Sequence, residues 1–458
     1  MRKFLWRLLN NEGPTIRDFL AEKVGEEELA RLRTSSKDLP GFRFVDLYEA
    51  AKWYSAEQGL FAELQSEHGG IDLTTLLHDR TSNWVQRTIR QARSLGWMID
   101  VDRERYLPVE QFWITERLKD SGARAIIRLS YIESQVKARL EVAAGDADAA
   151  AEAMQAIIDR SASHSIYRNH VLELAFVSGS KDEYGDIEKP EHLRVLFKRL
   201  EPVGEADIVI EDDVRDVLVR NVLDLHRRRD ILKANGVPIR RGVLLYGPPG
   251  TGKTFACRYV FGSLPDVTRI VVAGTALPQV TQVFNLARLY QPSLVLFEDV
   301  DLVFMSREIS LYSSVLGELL DQMDGLRPYE DIAFLLTTNS IERMEAAIKD
   351  RPGRVGQCIY FGPPKTELRR RYLTRYLKTY DLEAVDIGEL VKMSEDATQA
   401  FLKEWVHRSV QIATERLSTA DERARLCTDD FRKAVDEMTR FSEGSTGQII
   451  GFVRPAVR

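Results

Sequence analysis

Between an apolar run, Val243-Leu244-Leu245-Tyr246, and a stretch opening Phe255-Ala256-Cys257 lies the octapeptide Gly247-Pro248-Pro249-Gly250-Thr251-Gly252-Lys253-Thr254. A strand that turns through glycines into a helix leaves its backbone N–H groups pointing inward. The helix N-terminus adds a positive dipole, so the loop is built to hold phosphate oxygens. Lys253 is placed to reach the β- and γ-phosphates of a nucleotide, and the Thr254 hydroxyl to ligate Mg²⁺. Contacts are expected from Gly247 through Phe255. A glycine-rich turn with an incidental lysine is the plain alternative, and the flanking strand and helix argue against it.

A second apolar run, Leu294-Val295-Leu296-Phe297, ends in Glu298-Asp299-Val300-Asp301. Carboxylates at the carboxyl end of a parallel strand beside a phosphate loop suit Mg²⁺ held through water and an oriented attacking water. A third run, Ile332-Ala333-Phe334-Leu335-Leu336, ends in Thr337-Thr338-Asn339 and brings an amide to the same edge. Open α/β sheets bind their ligands at that edge.

Arg351-Pro352-Gly353-Arg354 completes an ordered set with Gly247–Thr254, Glu298-Asp299 and Asn339. In that order the motifs resemble those of the AAA+ ATPases, in the branch with an Arg-Pro-Gly-Arg motif. Ser314 to Gly325 is similar to that branch's helix after the acidic strand, and the resemblance runs over roughly residues 205–440. It implies an α/β P-loop NTPase core, a parallel sheet with a helical C-terminal lid, and ATP with Mg²⁺ as ligands. Lys253 would bind phosphate, Thr254 and Glu298 would hold the metal, Asp299 would polarise water, and Asn339 would be sensor 1. Arg351 and Arg354 would be arginine fingers acting on a neighbouring subunit, which implies a homo-oligomeric ring, by analogy a hexamer. A guanidinium on the transferring phosphoryl group stabilises its spreading charge.

The chain also departs from that family. The acidic pair is Glu298 then Asp299, the reverse of the usual order, which with Arg354-Val355 resembles bacterial relatives of the mitochondrial Rieske-protein translocase. The stretch Ala273 to Val280 has no aromatic where threading members carry one, and Thr398-Gln399-Ala400 stands in place of a Ser-Gly-Ala turn in the lid.

At 458 residues the chain exceeds one ordinary core. Its 44% apolar and 29% charged residues describe a soluble globular protein. A net charge of −6 argues against indiscriminate nucleic-acid binding. Cys257, Cys358 and Cys427 are far apart, which points to reduced thiols and a cytoplasmic setting. Neither they nor the seven histidines form a metal-ligand pattern. No apolar run reaches the length of about 18 that a spanning helix needs, and the basic, apolar start Met1–Leu9 reads as a docked helix.

The organisation read from the chain is a helical segment over 1–38, a winged-helix-like domain over 39–107, and a helical connector over 108–163. A small strand-containing domain over 164–210 follows, then a large ATPase subdomain over 211–365, a lid over 366–440, and a tail over 441–458. In the second stretch, helices over 45–55, 71–78 and 83–95 precede a hairpin. Arg87, Arg90 and Arg93 recur on the outward side of the longest helix, a face suited to DNA phosphates or to protein contacts. In the connector, Ala123–Glu141 reads as a helix. Two roles stay open beside ATP hydrolysis: control or remodelling of a protein substrate or separately encoded effector, and regulation or loading on DNA. A slow nucleotide-gated scaffold is a third.

Overall fold

The computed structural model describes residues 15–66, 72–78, 93–116, 118, 124–181, 187–201, 203–205, 207–239, 241–273, 276–301, 309–328, 330–341, 356–419 and 422–440. The chain divides into two units, residues 1–198 and 199–458.

The first unit opens with α1 (Ile16–Val24), which starts at a reciprocal cap: Thr15 accepts from the Asp18 N–H and the Asp18 carboxylate accepts from the Thr15 N–H. Ile16, Leu20 and Val24 recur every fourth residue and are buried. Then come α2 (Glu26–Arg31), β1 (Arg33–Pro40), α3 (Phe44–Glu57), β2 (Leu60–Gln65) and α4 (Leu73–His78). The hairpin β3 (Ser94–Asp100) and β4 (Arg103–Pro108) leads into β5 (Glu110–Thr115), β6 (Ala125–Ile132) and β7 (Lys137–Ala144). Helix α5 (Ala147–Ser163) starts where the Asp146 carboxylate accepts from the Ala149 N–H. β8 (Val171–Val177) pairs with β11 (His192–Phe197), and between them β9 (Ser180–Lys181) pairs with β10 (Ile187–Lys189).

Five of these strands form an antiparallel sheet in the order β1-β7-β6-β5-β2. Alternate side chains feed two cores. Trp113, Ile127, Leu129, Leu140 and Val142 pack with α3 and α5, while Phe112, Ile114, Ile126 and Ala143 pack with α1, α2 and α4. The unit is therefore a sheet between two helical layers. It is not the mainly helical region expected from the sequence. The expected helix over 123–141 is the β6–β7 hairpin: a strand covered on both faces shows a continuous apolar run that helical spacing also accommodates. Residues 33–38, expected in a helical segment, belong to the polar edge strand β1.

Nor do residues 39–107 stand apart as a winged-helix module. β2 pairs with β5 from the supposed connector, and α3 shares a core with α5. The expected hairpin is present as β3 and β4. Of the expected helix over 83–95, residues 83–92, including Arg87 and Arg90, lie outside the described residues, and Ser94 and Leu95 already belong to β3. Arg93 is ion-paired with Glu133.

The second unit begins with an extended segment in which Ile208 and Val209 are buried without the strand pairing expected there. Helix α6 (Asp212–Leu218) passes through a π turn at Val219–Leu223 into α7 (Asp224–Arg227) and α8 (Arg229–Ala234). The unit's parallel strands are β12 (Arg241–Tyr246), β13 (Thr268–Val272), β14 (Ser293–Phe297), β15 (Ile332–Thr338) and β16 (Gln357–Tyr360). They lie in the order β13-β14-β15-β12-β16. Between them run α9 (Lys253–Gly262), α10 (Val280–Leu289) and α11 (Ile309–Asp324). The strand order reverses at β12, so the loop leaving its carboxyl end opens at a topological switch point. The lid comprises α12 (Thr366–Leu377), α13 (Ile387–Met393), α14 (Gln399–Thr414) and α15 (Thr428–Arg440), with β17 (Asp381–Ala384) paired to β18 (Arg425–Cys427). Its core centres on Leu373, Leu402, Trp405 and Phe431, and the Trp405 Nε1–H donates to the Phe431 carbonyl at 2.8 Å.

Candidate functional site

β12 ends in the glycine-rich loop, and the loop's shape depends on residues without a Cβ. Gly247, Gly250 and Gly252 have φ of 144°, 78° and 97°, a region costly for side chains. A Cβ on Gly247 would collide with the Phe361 carbonyl, and one on Gly250 would lie 2.8 Å from the Ala400 methyl. The loop is thus clamped between the segment just after β16 and the lid. Thr251 Oγ1 donates to the Pro248 carbonyl at 2.8 Å and tightens the turn.

Lys253 opens α9 and is 6% exposed. Its ammonium donates to the Gly247 and Pro248 carbonyls at 2.7 and 2.9 Å. Burial pushes its pKa down, and the nearby charges of Asp299 and Asp301 oppose that shift. A desolvated cation beside two carboxylates at the mouth of a phosphate loop is suited to anion binding. Behind it, burial and the charge of Glu298 push the Cys257 thiol far up, so it is an inert core group.

β14 delivers the carboxylates. The Glu298 N–H still donates to the Val272 carbonyl, continuing the strand ladder. Asp299 then turns into the left-handed region at φ 46°, which is unusual for a residue with a side chain and recurs at functional sites. Its N–H is held by Thr337 Oγ1 at 2.9 Å. Asn339, one residue past β15, donates from Nδ2 to Asp299 Oδ1 at 3.3 Å. The Asn339 N–H donates to Asp301 Oδ1 at 3.2 Å. The ends of β14 and β15 are therefore tied together by two carboxylates and one asparagine.

These groups face a cavity of about 430 Å³ lined by Lys253, Thr254, Asp299 and Asn339, with Tyr376 and Lys403 contributed by the lid. A second cavity of about 410 Å³ lies against Val209, Ile210, Val214, Ile359, Leu368 and Tyr372. The Tyr372 hydroxyl donates to the Val209 carbonyl, fixing the backbone of that wall. The lid reaches the loop directly, since the Ala400 N–H donates to the Gly250 carbonyl at 3.0 Å.

The structure thus brings Gly247–Phe255, Asp299 and Asn339 to one sheet edge, with Glu298 half-buried where β14 ends. Arg351 and Arg354 lie outside the described residues. Asp301 and Thr337 sit in the polar runs that end β14 and β15 but carry no motif of their own, and the same holds for Lys403 and for Arg258, which lies on α9 at the cavity wall. Lys403 follows Gln399 by one helical turn, a spacing that places both on one face.

Thr254, Glu298 and Asp299 supply the hard oxygen donors that Mg²⁺ takes. Thr254 and Asp299 line the same cavity, so these two donors fit that ion; Glu298 stands beside Asp299 at the end of β14 and is not among the residues lining the cavity.

Residues 243–363 match the family model described as "ATPase family associated with various cellular activities (AAA)". The chain is 28% identical over 258 residues to a 26S proteasome regulatory subunit 8 homolog of Schizosaccharomyces pombe, covering 52% of this chain and 61% of that protein. It is 30% identical over 270 residues to a proteasome-activating nucleotidase of Methanopyrus kandleri, covering 54% and 60%. It is 27% identical over 266 residues to the ATP-dependent zinc metalloprotease FtsH 2 of Symbiobacterium thermophilum, covering 54% and 44%. The matched stretch spans about three fifths of the length of the first two and less of the third. Among the described residues no helix is long and apolar enough to cross a membrane.

Proposed function

We propose a function from one premise: this chain carries an ATPase domain of the AAA family and so an ATP-hydrolysing site. It works as a subunit of a homo-oligomeric ring, by analogy a hexamer, that couples ATP turnover to remodelling or control of a protein partner. The observation that carries the reading is the convergence of the glycine loop, Lys253, Asp299 and Asn339 on one cavity at the carboxyl edge of a parallel sheet.

In this reading the triphosphate lies along the loop N–H groups and the α9 N-terminus, with Lys253 on the β- and γ-phosphates. The base takes the cavity walled by Ile210, Val214 and Leu368, whose apolar side chains suit a planar ring. Thr254 and Glu298 would hold Mg²⁺, which when bound neutralises charge on the β- and γ-oxygens. Asp299 accepts a hydrogen bond from the attacking water. The water oxygen forms a bond to the γ-phosphorus as the bridging bond to ADP breaks, and the water's proton passes to Asp299 or to the released phosphate. Asn339 holds the Asp299 carboxylate through its 3.3 Å bond. Arg351 and Arg354 act on a neighbour's γ-phosphate, which makes turnover a property of the assembly.

Protein partners are favoured because two of the relatives bear proteasome names and the third is named a metalloprotease. The missing aromatic in Ala273–Val280 supports action on folded partners instead of threading. The reversed Glu298-Asp299 pair supports kinship with the translocase relatives and, with its shorter base, slower turnover.

The test is two variants of the chain and one measurement on dilute wild type. Asp299→Asn retains ATP without releasing phosphate and co-purifies its protein partner. Arg354→Ala binds ATP but turns over about 10³-fold or more slowly. Undiminished ATPase activity in a dilute, strictly monomeric preparation would refute the shared site.

A further inference from the structure

The two cavities are lined by different residues except at one place, where the Gln399 side chain borders both. Thr251 lines the base-side cavity while its neighbours Gly250 and Gly252 line the phosphate side. The boundary therefore runs across the middle of the glycine loop, with Gln399 set upon it. Its Oε1 lies 2.5 Å from where a Cβ on Gly252 would stand, so the amide rests on bare glycine backbone. Its Nε2–H donates to the Tyr376 hydroxyl at 3.4 Å. Next in the chain, the Ala400 N–H holds the Gly250 carbonyl at 3.0 Å and draws the start of α14 onto the loop. Thr398, which caps α14 by accepting from the Phe401 N–H, would lie 3.1 Å from a Cβ on Gly250.

A nucleoside triphosphate must connect a base in one cavity to phosphates in the other, and the connecting sugar and α-phosphate cross this boundary. We infer that Gln399 is a lid-borne gate between the base-side and phosphate-side cavities, which a nucleotide must displace in order to occupy both. The inference rests on the nucleotide-site reading above and adds to it a residue that sets affinity. The physical basis is a population argument. When only a fraction of molecules hold the passage open, the apparent dissociation constant is the intrinsic one divided by that fraction. Gln399 contributes a long hydrogen bond to Tyr376 and packing on Gly252, both lost when the passage opens. Shortening the side chain removes that opposition and leaves the loop N–H groups in place.

The experiment is calorimetric titration of the full chain and its Gln399→Ala variant with two probes. One is the β,γ-imido analogue of ATP, which spans both cavities. The other is inorganic tripolyphosphate, which needs the phosphate side alone. The gate predicts that Gln399→Ala binds the analogue about three- to tenfold more tightly, with tripolyphosphate affinity unchanged within about twofold. Gln399→Met keeps the packing on Gly252 but loses the hydrogen bond to Tyr376, so its analogue affinity should fall between those of the parent and Gln399→Ala, with tripolyphosphate affinity unchanged within about twofold. Weaker or unchanged analogue binding by Gln399→Ala overturns the gate. So does equal tightening for both probes, which would mean that the whole lid had loosened. Lys253→Ala is titrated alongside. Loss of both probes there identifies the site being read, so a flat Gln399→Ala result counts against the gate and not against the nucleotide site.

Discussion

Each unit of the molecule buries a cation near two carboxylates, and the two clusters do opposite things. In the first unit Arg128, 1% exposed, reaches Glu110 and Glu141, each 2% exposed at the side chain. Arg128 and Glu141 stand opposite each other on β6 and β7, and Glu141 Oε1 accepts from the Leu73 N–H at 2.8 Å, holding the first turn of α4. Burial alone would lower the guanidinium's pKa, but the two glutamates raise it. Arg128 and one oxygen of Glu110 are engaged with each other while Glu110 Oε2 is buried without a hydrogen bond, and the Phe112 ring covers the guanidinium at 5.5 Å. In the second unit Lys253 lies near Asp299 and Asp301, but its hydrogen bonds go to loop carbonyls and its pKa is pushed down. Lys253 and Asp299 line a cavity. A buried charge paired directly with opposite charges fixes a core; one held by backbone at a strand end, beside open volume, is positioned for a ligand.

That contrast breaks most sharply under substitution. Arg128→Met strands two buried carboxylates and should destabilise the first unit by about 3–5 kcal/mol, read from urea unfolding. Adding Glu110→Gln and Glu141→Gln should recover much of that loss, since the cost lies in the unpaired charges. Lys253→Ala should do the reverse. ATP hydrolysis should fall by about a hundredfold or more in kcat/KM, while the thermal midpoint moves by no more than a few degrees. A Lys253→Ala chain that fails to fold, or an Arg128→Met chain of unchanged stability, would erase the distinction. Asp301 lies between the two cases. Asp301→Ala should lower kcat about tenfold with little change in KM, because Asn339 loses the acceptor for its N–H. Asp301→Asn should be milder, since its Oδ1 still accepts.

The same contrast explains what could be read from the sequence. The second unit was legible because a phosphate-loop site of the kind proposed requires fixed residues at fixed places: glycines in the loop, acids after β14, an amide after β15. Three lid helices were legible because one face is buried and the other wet. The five-stranded sheet of the first unit was not. Ile126, Ile127 and Leu129 are buried on both faces of β6, so no period of two appears. β1, Arg-Thr-Ser-Ser-Lys-Asp-Leu-Pro, has one buried apolar residue, Leu39, and is a strand because β7 pairs with it along its whole length. The Arg128 cluster is dispersed over three strands and becomes visible only when pairing brings them together.

The smallest effect concerns an ion pair in the lid, where one partner is buried and the other is not. Asp430 is 2% exposed at the side chain and Arg416 is 47% exposed. Burial raises the Asp430 pKa, but hydrogen bonds from Arg416 and from the Cys427 N–H overcome it, so the carboxyl sits below its ordinary value. A carboxyl whose folded pKa is depressed adds stability above its unfolded pKa of about 3.9 and loses it as pH falls through the folded value. Lid stability should therefore decline as pH drops below about 4. Asp430→Asn should flatten that slope while lowering stability at neutral pH. With Arg416 half in water, the ionic part should stay below about 1 kcal/mol and shrink further in about 1 M salt. Urea midpoints followed by near-ultraviolet circular dichroism at pH 6, 4.5 and 3.5 measure it, because Trp405 packs edge-on against Phe431, the residue after Asp430. If wild type and Asp430→Asn show equal slopes across that range, the carboxyl is not the titrating group, and the lid's acid sensitivity belongs to another of its acids.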